Sequence, residues 1–283
     1  MILAIVGPTG VGKTKMSVEL AKKYDAIIIN CDAMQVYKDL NIVTAKITEE
    51  EKENIPHFLF DIRNVNEEYT VYDYQKDVRK LLEEYKDKNV ILVGGTGLYL
   101  KAALYDYRFN DENNNKNTYD NLTNEELHKL VLKKDPTSNI HPNNRVRLIR
   151  FLNKEIKEIV PPIPLYEHTI IGLTTDRSTL YERINNRVDI MMNNGLLEEV
   201  TTFHKQNIRT KPLIGGIGYK ELYSYLDNEI SLEEAIYKIK QNSRHYAKRQ
   251  YTFFNNQLNV NWFNVNFNNF NNTIKEVINF IEK

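Results

Sequence analysis

Gly7-Pro8-Thr9-Gly10-Val11-Gly12-Lys13-Thr14 follows the apolar run Ile2–Val6 and opens a stretch of helical periodicity, Lys13–Tyr24. The octet fits G-x-x-x-x-G-K-[ST] in full, and a strand before it with a helix behind it separates a phosphate-binding loop from a chance match. Gly7, Gly10 and Gly12, with Pro8, Thr9 and Val11 between them, let backbone N–H groups converge on phosphate oxygens at the positive end of a helix. Lys13 adds a full charge, and the Thr14 hydroxyl can hold Mg²⁺. The loop therefore predicts a ligand that carries a diphosphate.

Working outward, Ala26–Asn30, Phe58–Ile62, Val90–Val93 and Thr169–Leu173 read as four further strands. Helical stretches at Lys13–Tyr24, Tyr72–Tyr85 and Leu98–Tyr105 separate most of them. Continuous apolar strands alternating with helices predict an α/β fold, a mostly parallel P-loop-type sheet covered by helices on both faces. The loops after Val6, Asn30 and Val93 should share one sheet edge. The pattern breaks at Asp106–Asn124, rich in Asn, Asp and Lys, which leads into a helix at Asn124–Lys134. The expected organisation is a core of residues 1–105 and 136–283 interrupted by a small helical insertion at 106–135. A helix from Arg145 to Ile159 should follow, ended by Pro161, Pro162 and Pro164.

Composition agrees with a packed, water-soluble chain: 41% hydrophobic residues, 27% charged residues and no run long enough to span a bilayer. Met1–Val6 passes straight into the loop without a leader, and Cys31 is the single cysteine, so a reducing cytoplasm is expected. The 38 basic residues balance the 38 acidic ones, which counts mildly against a nucleic-acid partner, but the bases cluster. Arg147, Arg150, Lys154 and Lys157 form one helical stripe, opposite Leu148, Leu152, Ile156 and Ile159. Lys240, Arg244, Lys248 and Arg249 form another, on a helix that begins with the capping sequence Ser231-Leu232-Glu233-Glu234. Tyr246, Tyr251, Phe253 and Phe254 interleave with it, a combination that suits RNA as well as a solvated face.

Two residues complete the chemistry. Hydrolases of this loop class place a carboxylate at the end of an apolar strand, but Val90–Val93 ends in Gly94-Gly95-Thr96-Gly97. That favours group transfer, with the loop holding a leaving diphosphate. The acid comes instead from Asp32, after Ala26–Asn30, either a turn cap or a Mg²⁺ ligand or general base. Arg187 lies at the edge of the stripe Leu180, Ile184, Val188 and Met191, where a guanidinium needs an anion, from the core or from a ligand.

Taken together, the motifs resemble the tRNA dimethylallyltransferases (isopentenyl-adenosine-37 synthases) nearly end to end. The resemblance rests on the loop, Asn30-Cys31-Asp32-Ala33-Met34-Gln35-Val36-Tyr37, Thr44-Ala45-Lys46, Pro56-His57-Phe58 and Asp61-Ile62. It continues through Gly94-Gly95-Thr96-Gly97-Leu98-Tyr99, Ile140-His141-Pro142-Asn143-Asn144 with Arg147-Leu148-Ile149-Arg150, and Gly218-Tyr219-Lys220-Glu221. It closes on Arg244-His245-Tyr246-Ala247-Lys248-Arg249-Gln250. The resemblance implies that dimethylallyl diphosphate sits in the P-loop, with Mg²⁺ as cofactor through Thr14. Asp32 would take the proton from adenine N6, and Arg187 would steady the departing diphosphate. Asp32, Ala33, Met34, Gln35 and Thr96 would contact the target base. Val146, Arg147, Leu148, Ile149, Arg150, Lys248 and Arg249 would contact the anticodon stem-loop of tRNA. The absence of a zinc-finger tail points to the bacterial type; separately, the chain is expected to act as a monomer without a membrane partner. Ala33, Phe58, Phe253 and Asn255 depart from the family pattern, as does an insertion shorter than usual; none of these is an implied catalytic residue.

Overall fold

In a computed structural model the chain is described at residues 1–109, 119, 121–153 and 163–283. In chain order the elements are β1 (Ile2–Val6), α1 (Lys13–Tyr24), β2 (Ala26–Asn30), α2 (Glu49–Lys52), β3 (His57–Phe58), α3 (Val71–Glu84), β4 (Asn89–Val93) and α4 (Gly97–Leu104). Next come α5 (Asn124–Lys134), α6 (Arg145–Leu152), β5 (Thr169–Thr174), α7 (Arg177–Asn193) and α8 (Leu196–Lys205). α9 (Lys211–Gly215), α10 (Tyr219–Leu226), α11 (Leu232–Gln257), β6 (Asn261–Asn264) and α12 (Phe270–Ile281) complete the described chain.

The strands form one sheet in the order β3-β2-β4-β1-β5-β6, and every neighbouring pair is parallel. β2, β4 and β1 are adjacent, so the loops after Asn30, Val93 and Val6 do meet at one carboxyl edge. Strand periodicity divides the core between the two faces. Leu3, Ile5, Ile28 and Ile91 pack with Met16 and Leu20 of α1 and Val277 of α12. Ala4, Val6, Ile29 and Leu92 pack on the other face with Tyr74, Leu100, Tyr219 and Leu222. Helix starts are fixed locally: Thr70 and Asp73 form a reciprocal capping box on α3, and Ser231 accepts from the Glu234 amide on α11.

Three expectations change. The strand expected at Phe58–Ile62 is His57–Phe58 alone, because Leu59 (φ 62°) and Asp61 (φ 54°) turn left-handed and leave the sheet. The region after Asp176, expected to be mostly helical, also holds a strand, β6; Asn261–Asn264 pairs with β5 although two of its four residues are asparagines. The helix from Arg145 runs to Leu152, and its expected continuation over 154–159, with Pro161 and Pro162, lies outside the described residues.

The chain divides into two compact units, Met1–Asp106 with Pro164–Lys283, and Tyr107–Ile163. The second unit thus takes in α6 as well as α5, where the sequence placed its boundary after residue 135. The reason is a private core: Leu127, Val131, Ile140 and Leu148 are buried against one another, and Arg145 Nη1 and Nη2 donate to the carbonyls of Leu122 (2.6 Å) and Tyr119 (3.0 Å). Among the described residues no helix is long and apolar enough to cross a membrane.

Candidate active site

The loop after β1 closes tightly on its neighbours. Gly7 sits at φ 138°, and a Cβ there would stand 2.4 Å from the Leu173 carbonyl oxygen on β5, so glycine is required. Lys13, first residue of α1, curls back so that Nζ donates to the Pro8 carbonyl at 2.9 Å. No acidic residue occupies the first turn of α1, which leaves the positive helix end open to an external anion. Thr14 is exposed beside it, with no hydrogen bond to its hydroxyl among the described residues, and so can serve as a single hydroxyl ligand. Among the described residues no cluster of three His, Cys, Asp or Glu side chains could hold a metal. A cation here would rest on Thr14 and the ligand's own phosphate oxygens, which suits Mg²⁺.

α7 brings a second layer of charge. Arg183 Nε donates to the Gly10 carbonyl at 3.0 Å, while its guanidinium lies 3.8 Å from the centre of the Phe267 ring. One turn further on, the half-buried Arg187 has no hydrogen bond or ion pair to a described residue. Burial, and then the neighbouring charge of Arg187, lower the Lys13 pKa to about 8, against a weaker upward pull from Asp32. Burial likewise lowers that of Arg187, with Asp32 opposing and Arg183 reinforcing the effect. Lys13 and Arg187 thus share one carboxylate, Asp32, with the exposed Arg183 adding a third positive charge next to Arg187. Two half-buried cations against one carboxylate call for an anion.

Asp32 is held from β2. Its amide donates to Asn30 Oδ1 (2.9 Å), and the fully buried Asn30 is anchored in turn by donating to the carbonyls of Leu59 and Asp32 at 3.0 Å each. Oδ1 of Asp32 accepts from the Met34 amide at 2.9 Å, and Oδ2 has no partner among the described residues. The residue is therefore a turn cap through one oxygen and available for chemistry through the other. The next loop interlocks with it. The Thr96 amide donates to the Cys31 carbonyl (3.1 Å), and Thr96 Oγ1 accepts from the Ala33 amide (3.1 Å). The Tyr246 hydroxyl of α11 also reaches Thr96, and burial with the nearby Asp32 charge raises its pKa. Cys31 itself is buried, its thiol pushed up to about 12 by burial, so it is inert as a nucleophile.

The structure brings Lys13, Thr14, Asp32, Ala33, Thr96 and Arg187 to one sheet edge. Gln35 is occupied, its Nε2 donating to the Thr44 carbonyl at 3.0 Å, and the Met34 side chain packs beside Gly216. Lys46, from the Thr44-Ala45-Lys46 motif, ties Asp61 (2.5 Å) and the Tyr37 carbonyl (2.7 Å) and so shapes the segment after β2. Lys248 and Arg249 are exposed on α11, with the Arg249 guanidinium 5.6 Å from the Tyr246 ring centre. Val146 to Arg150 lie in the second unit. There Val146, Arg147 and Arg150 are exposed, but Leu148 is fully buried in the α5–α6 core, so its side chain is no surface for RNA. Two contributors went unassigned in the sequence. Arg183 belongs to none of the motifs that the sequence displays. Gln250, next to Arg249, carried no charge to draw notice, yet its Oε1 accepts from the Thr9 amide (3.3 Å) and its Nε2 donates to the Gly95 carbonyl (3.0 Å).

A family model described as IPP transferase matches residues 35–257. The chain is 43% identical over 303 aligned residues to the tRNA dimethylallyltransferase of Anoxybacillus flavithermus, covering 99% of this chain and 96% of that protein. Among solved structures it resembles the full-length tRNA isopentenylpyrophosphate transferase of Bacillus halodurans, with a TM-score of 0.78 and 42% identity over 99% of this chain and 95% of that one. A eukaryotic dimethylallyltransferase described as acting on tRNA matches with a TM-score of 0.75 and 28% identity, over 92% of this chain and 73% of its own.

Proposed function

The chain belongs to the IPP transferase family, and we propose that it moves a dimethylallyl group from dimethylallyl diphosphate to N6 of adenosine 37 in the tRNA anticodon loop. The observation that carries this reading is the charge excess around the P-loop: among the described residues, half-buried Lys13 and Arg187 share the one carboxylate of Asp32, and exposed Arg183 adds a further cation bound to the Gly10 carbonyl. That arrangement suits a substrate that arrives as an anion and departs as a more highly charged one.

The chemistry follows from the two ends of the site. Adenine N6 is a weak nucleophile because its lone pair is delocalised into the ring. Transfer therefore depends on breaking the allylic C–O bond, and the electron pair of that bond leaves with the diphosphate. Fixed positive charge placed where this negative charge develops lowers the barrier. Lys13 and Arg187 supply it, and Mg²⁺ held by Thr14 would add a further charge on the phosphate oxygens. As N6 bonds to the allylic carbon its proton passes to Asp32, whose Oδ2 is free while Oδ1 is held by the Met34 amide. Thr96 and the Asn30–Gln35 turn line the approach of the base. An unpaired loop nucleotide can be splayed from its stack at low cost. Exposed Lys248 and Arg249, and Arg147 and Arg150 of the second unit, supply contacts to RNA phosphates.

We place the enzyme in the cytoplasm as a monomer, where tRNA and a reducing milieu coincide. The test is mass analysis of anticodon-loop nucleosides after incubating tRNA with the protein, dimethylallyl diphosphate and Mg²⁺. A mass increase of one dimethylallyl group on a loop adenosine supports the reading, and unmodified tRNA at high enzyme concentration overturns it.

A further inference from the structure

Gln250 lies on α11, is 5% exposed, and spends its whole side-chain amide on two loops that are distant in sequence. Its oxygen accepts from the Thr9 amide of the P-loop, 241 residues away, and its nitrogen donates to the Gly95 carbonyl of the loop after β4, 155 residues away. Both partners are backbone groups, so the amide fixes main-chain positions. Gly95 is shaped to admit it, since a Cβ there would stand 2.1 Å from Gln250 Nε2. The Thr9 side carries the diphosphate cradle. The Gly95 side carries Thr96, which holds the Ala33 amide next to Asp32.

Resting on the function proposed above, we propose that Gln250 is a positioning residue that sets the spacing between the diphosphate cradle and the adenine-side loops. It touches neither substrate and acts through Thr9 and Gly95. The two half-reactions it aligns, departure of diphosphate from one side and attack of N6 from the other, must occur along one line. A small displacement of one loop against the other therefore slows transfer without weakening either binding step. Among the natural side chains a primary amide of this length meets both requirements at once, one acceptor and one donor on the same planar group. A carboxylate can accept from Thr9 but repels the Gly95 carbonyl. A protonated carboxylic acid restores both bonds.

The test compares the parent with Gln250→Leu and Gln250→Glu in single-turnover transfer to tRNA at saturating dimethylallyl diphosphate, with inorganic diphosphate and tRNA binding measured separately. Gln250→Leu should melt close to the parent and bind both ligands nearly as well, yet transfer about ten-fold or more slowly. Gln250→Glu should be slow at alkaline pH and recover relative to the parent as pH falls, because its buried acid protonates and then donates to Gly95. Parent-like transfer by a folded Gln250→Leu protein overturns the proposal. If that variant does not fold, a Gln250→Glu to parent rate ratio that stays constant with pH overturns it instead. A parent that fails to modify tRNA at all sinks the functional reading, which is a different outcome from either of these.

Discussion

Lys13 and Arg187 come from the first and seventh helices, yet they share one electrostatic environment, and after burial itself the charge of Arg187 is the main force lowering the lysine's pKa to about 8. Two cations held together in a half-buried site repel each other until an anion arrives. The geometry stores that repulsion in the free protein and releases it on binding. The P-loop is then more than a nest of amides: its charge is tuned by a residue of α7.

A pH dependence follows. The free protein holds Lys13 charged below about pH 8 and loses that charge above it. The contribution of Lys13 to diphosphate affinity, after correction for the ligand's own titration, should therefore be constant below about 8 and fall as pH rises beyond it. Above about pH 8 binding should take up a proton at Lys13, because the bound anion raises the lysine's pKa again. Calorimetry in buffers of different ionisation enthalpy measures both effects. For folding the sign is reversed: the pKa is depressed in the folded chain, so the unfolded chain holds more protons between about 8 and 10.5, and this group favours folding increasingly over that window. A ligand-corrected diphosphate affinity that does not change between pH 7 and 10 would show that Lys13 does not titrate there.

Asp32→Asn isolates the base. The amide oxygen can still accept from the Met34 amide, so the turn after β2 should keep its form and donor binding should persist. Transfer should fall roughly 10²-fold or more, the scale of a lost general base. Folding is checked by melting and the rate by single turnover. Near-parental turnover would remove Asp32 from the chemistry.

These two residues also mark how far the sequence could be read. The P-loop was legible because strand, glycine spacing and helix are contiguous, and Asp32 because it ends an uninterrupted apolar strand. β6 was not legible, since Asn261–Asn264 joins the sheet by pairing with β5 and carries no apolar alternation of its own. Gln250 and Arg183 were missed for a related reason. Their roles consist of hydrogen bonds to Thr9, Gly95 and Gly10, contacts that exist only after α7 and α11 fold back over the loop. Leu148 shows the converse, a residue inside a surface-contact motif that the α5–α6 packing turns inward.

RNA affinity should be electrostatic and distributed. Lys248 and Arg147 are exposed, and neither side chain forms an ion pair among the described residues. Lys248→Ala and Arg147→Ala should each weaken tRNA binding and reduce the slope of log affinity against log salt by about one unit per lost phosphate contact. Turnover at saturating tRNA should change less than affinity. Parental binding by both variants across a salt series would assign these charges to a solvated face.

The second unit can be tested by its own core. Leu148 is fully buried with Leu127 and Val131, so Leu148→Ala should cost that unit about 2–5 kcal/mol. Because the P-loop unit has buried clusters of its own, diphosphate binding should survive while tRNA affinity falls. Hydrogen exchange over α5 and α6, read beside diphosphate calorimetry, distinguishes local opening from global unfolding. Equal loss of both ligands would mean that the units do not behave independently.

The last prediction concerns the ligand of the P-loop. Gly7–Thr14 has the form of a nucleotide site, and we expect that ATP is nevertheless not a substrate. Backbone amides and Lys13 recognise a diphosphate and are blind to what it is attached to. Selectivity has to come from groups beyond the phosphates. Hydrolysis or transfer of a γ-phosphate would draw on an acidic residue at the end of β4, where Gly94-Gly95-Thr96-Gly97 stands instead. Arg183 and Arg187 crowd charge against the loop from α7, which suits a leaving diphosphate, and a prenyl tail asks only for an apolar lining. The Lys13→Ala variant should thus lose dimethylallyl transfer, since the leaving group loses a fixed cation. ATP added to the parent should leave the rate unchanged or compete weakly. The assay is transfer to tRNA with dimethylallyl diphosphate and Mg²⁺ and no nucleoside triphosphate, with ADP release followed in parallel. An absolute requirement for ATP, or ADP formed in step with product, would make the loop a kinase site and overturn this assignment.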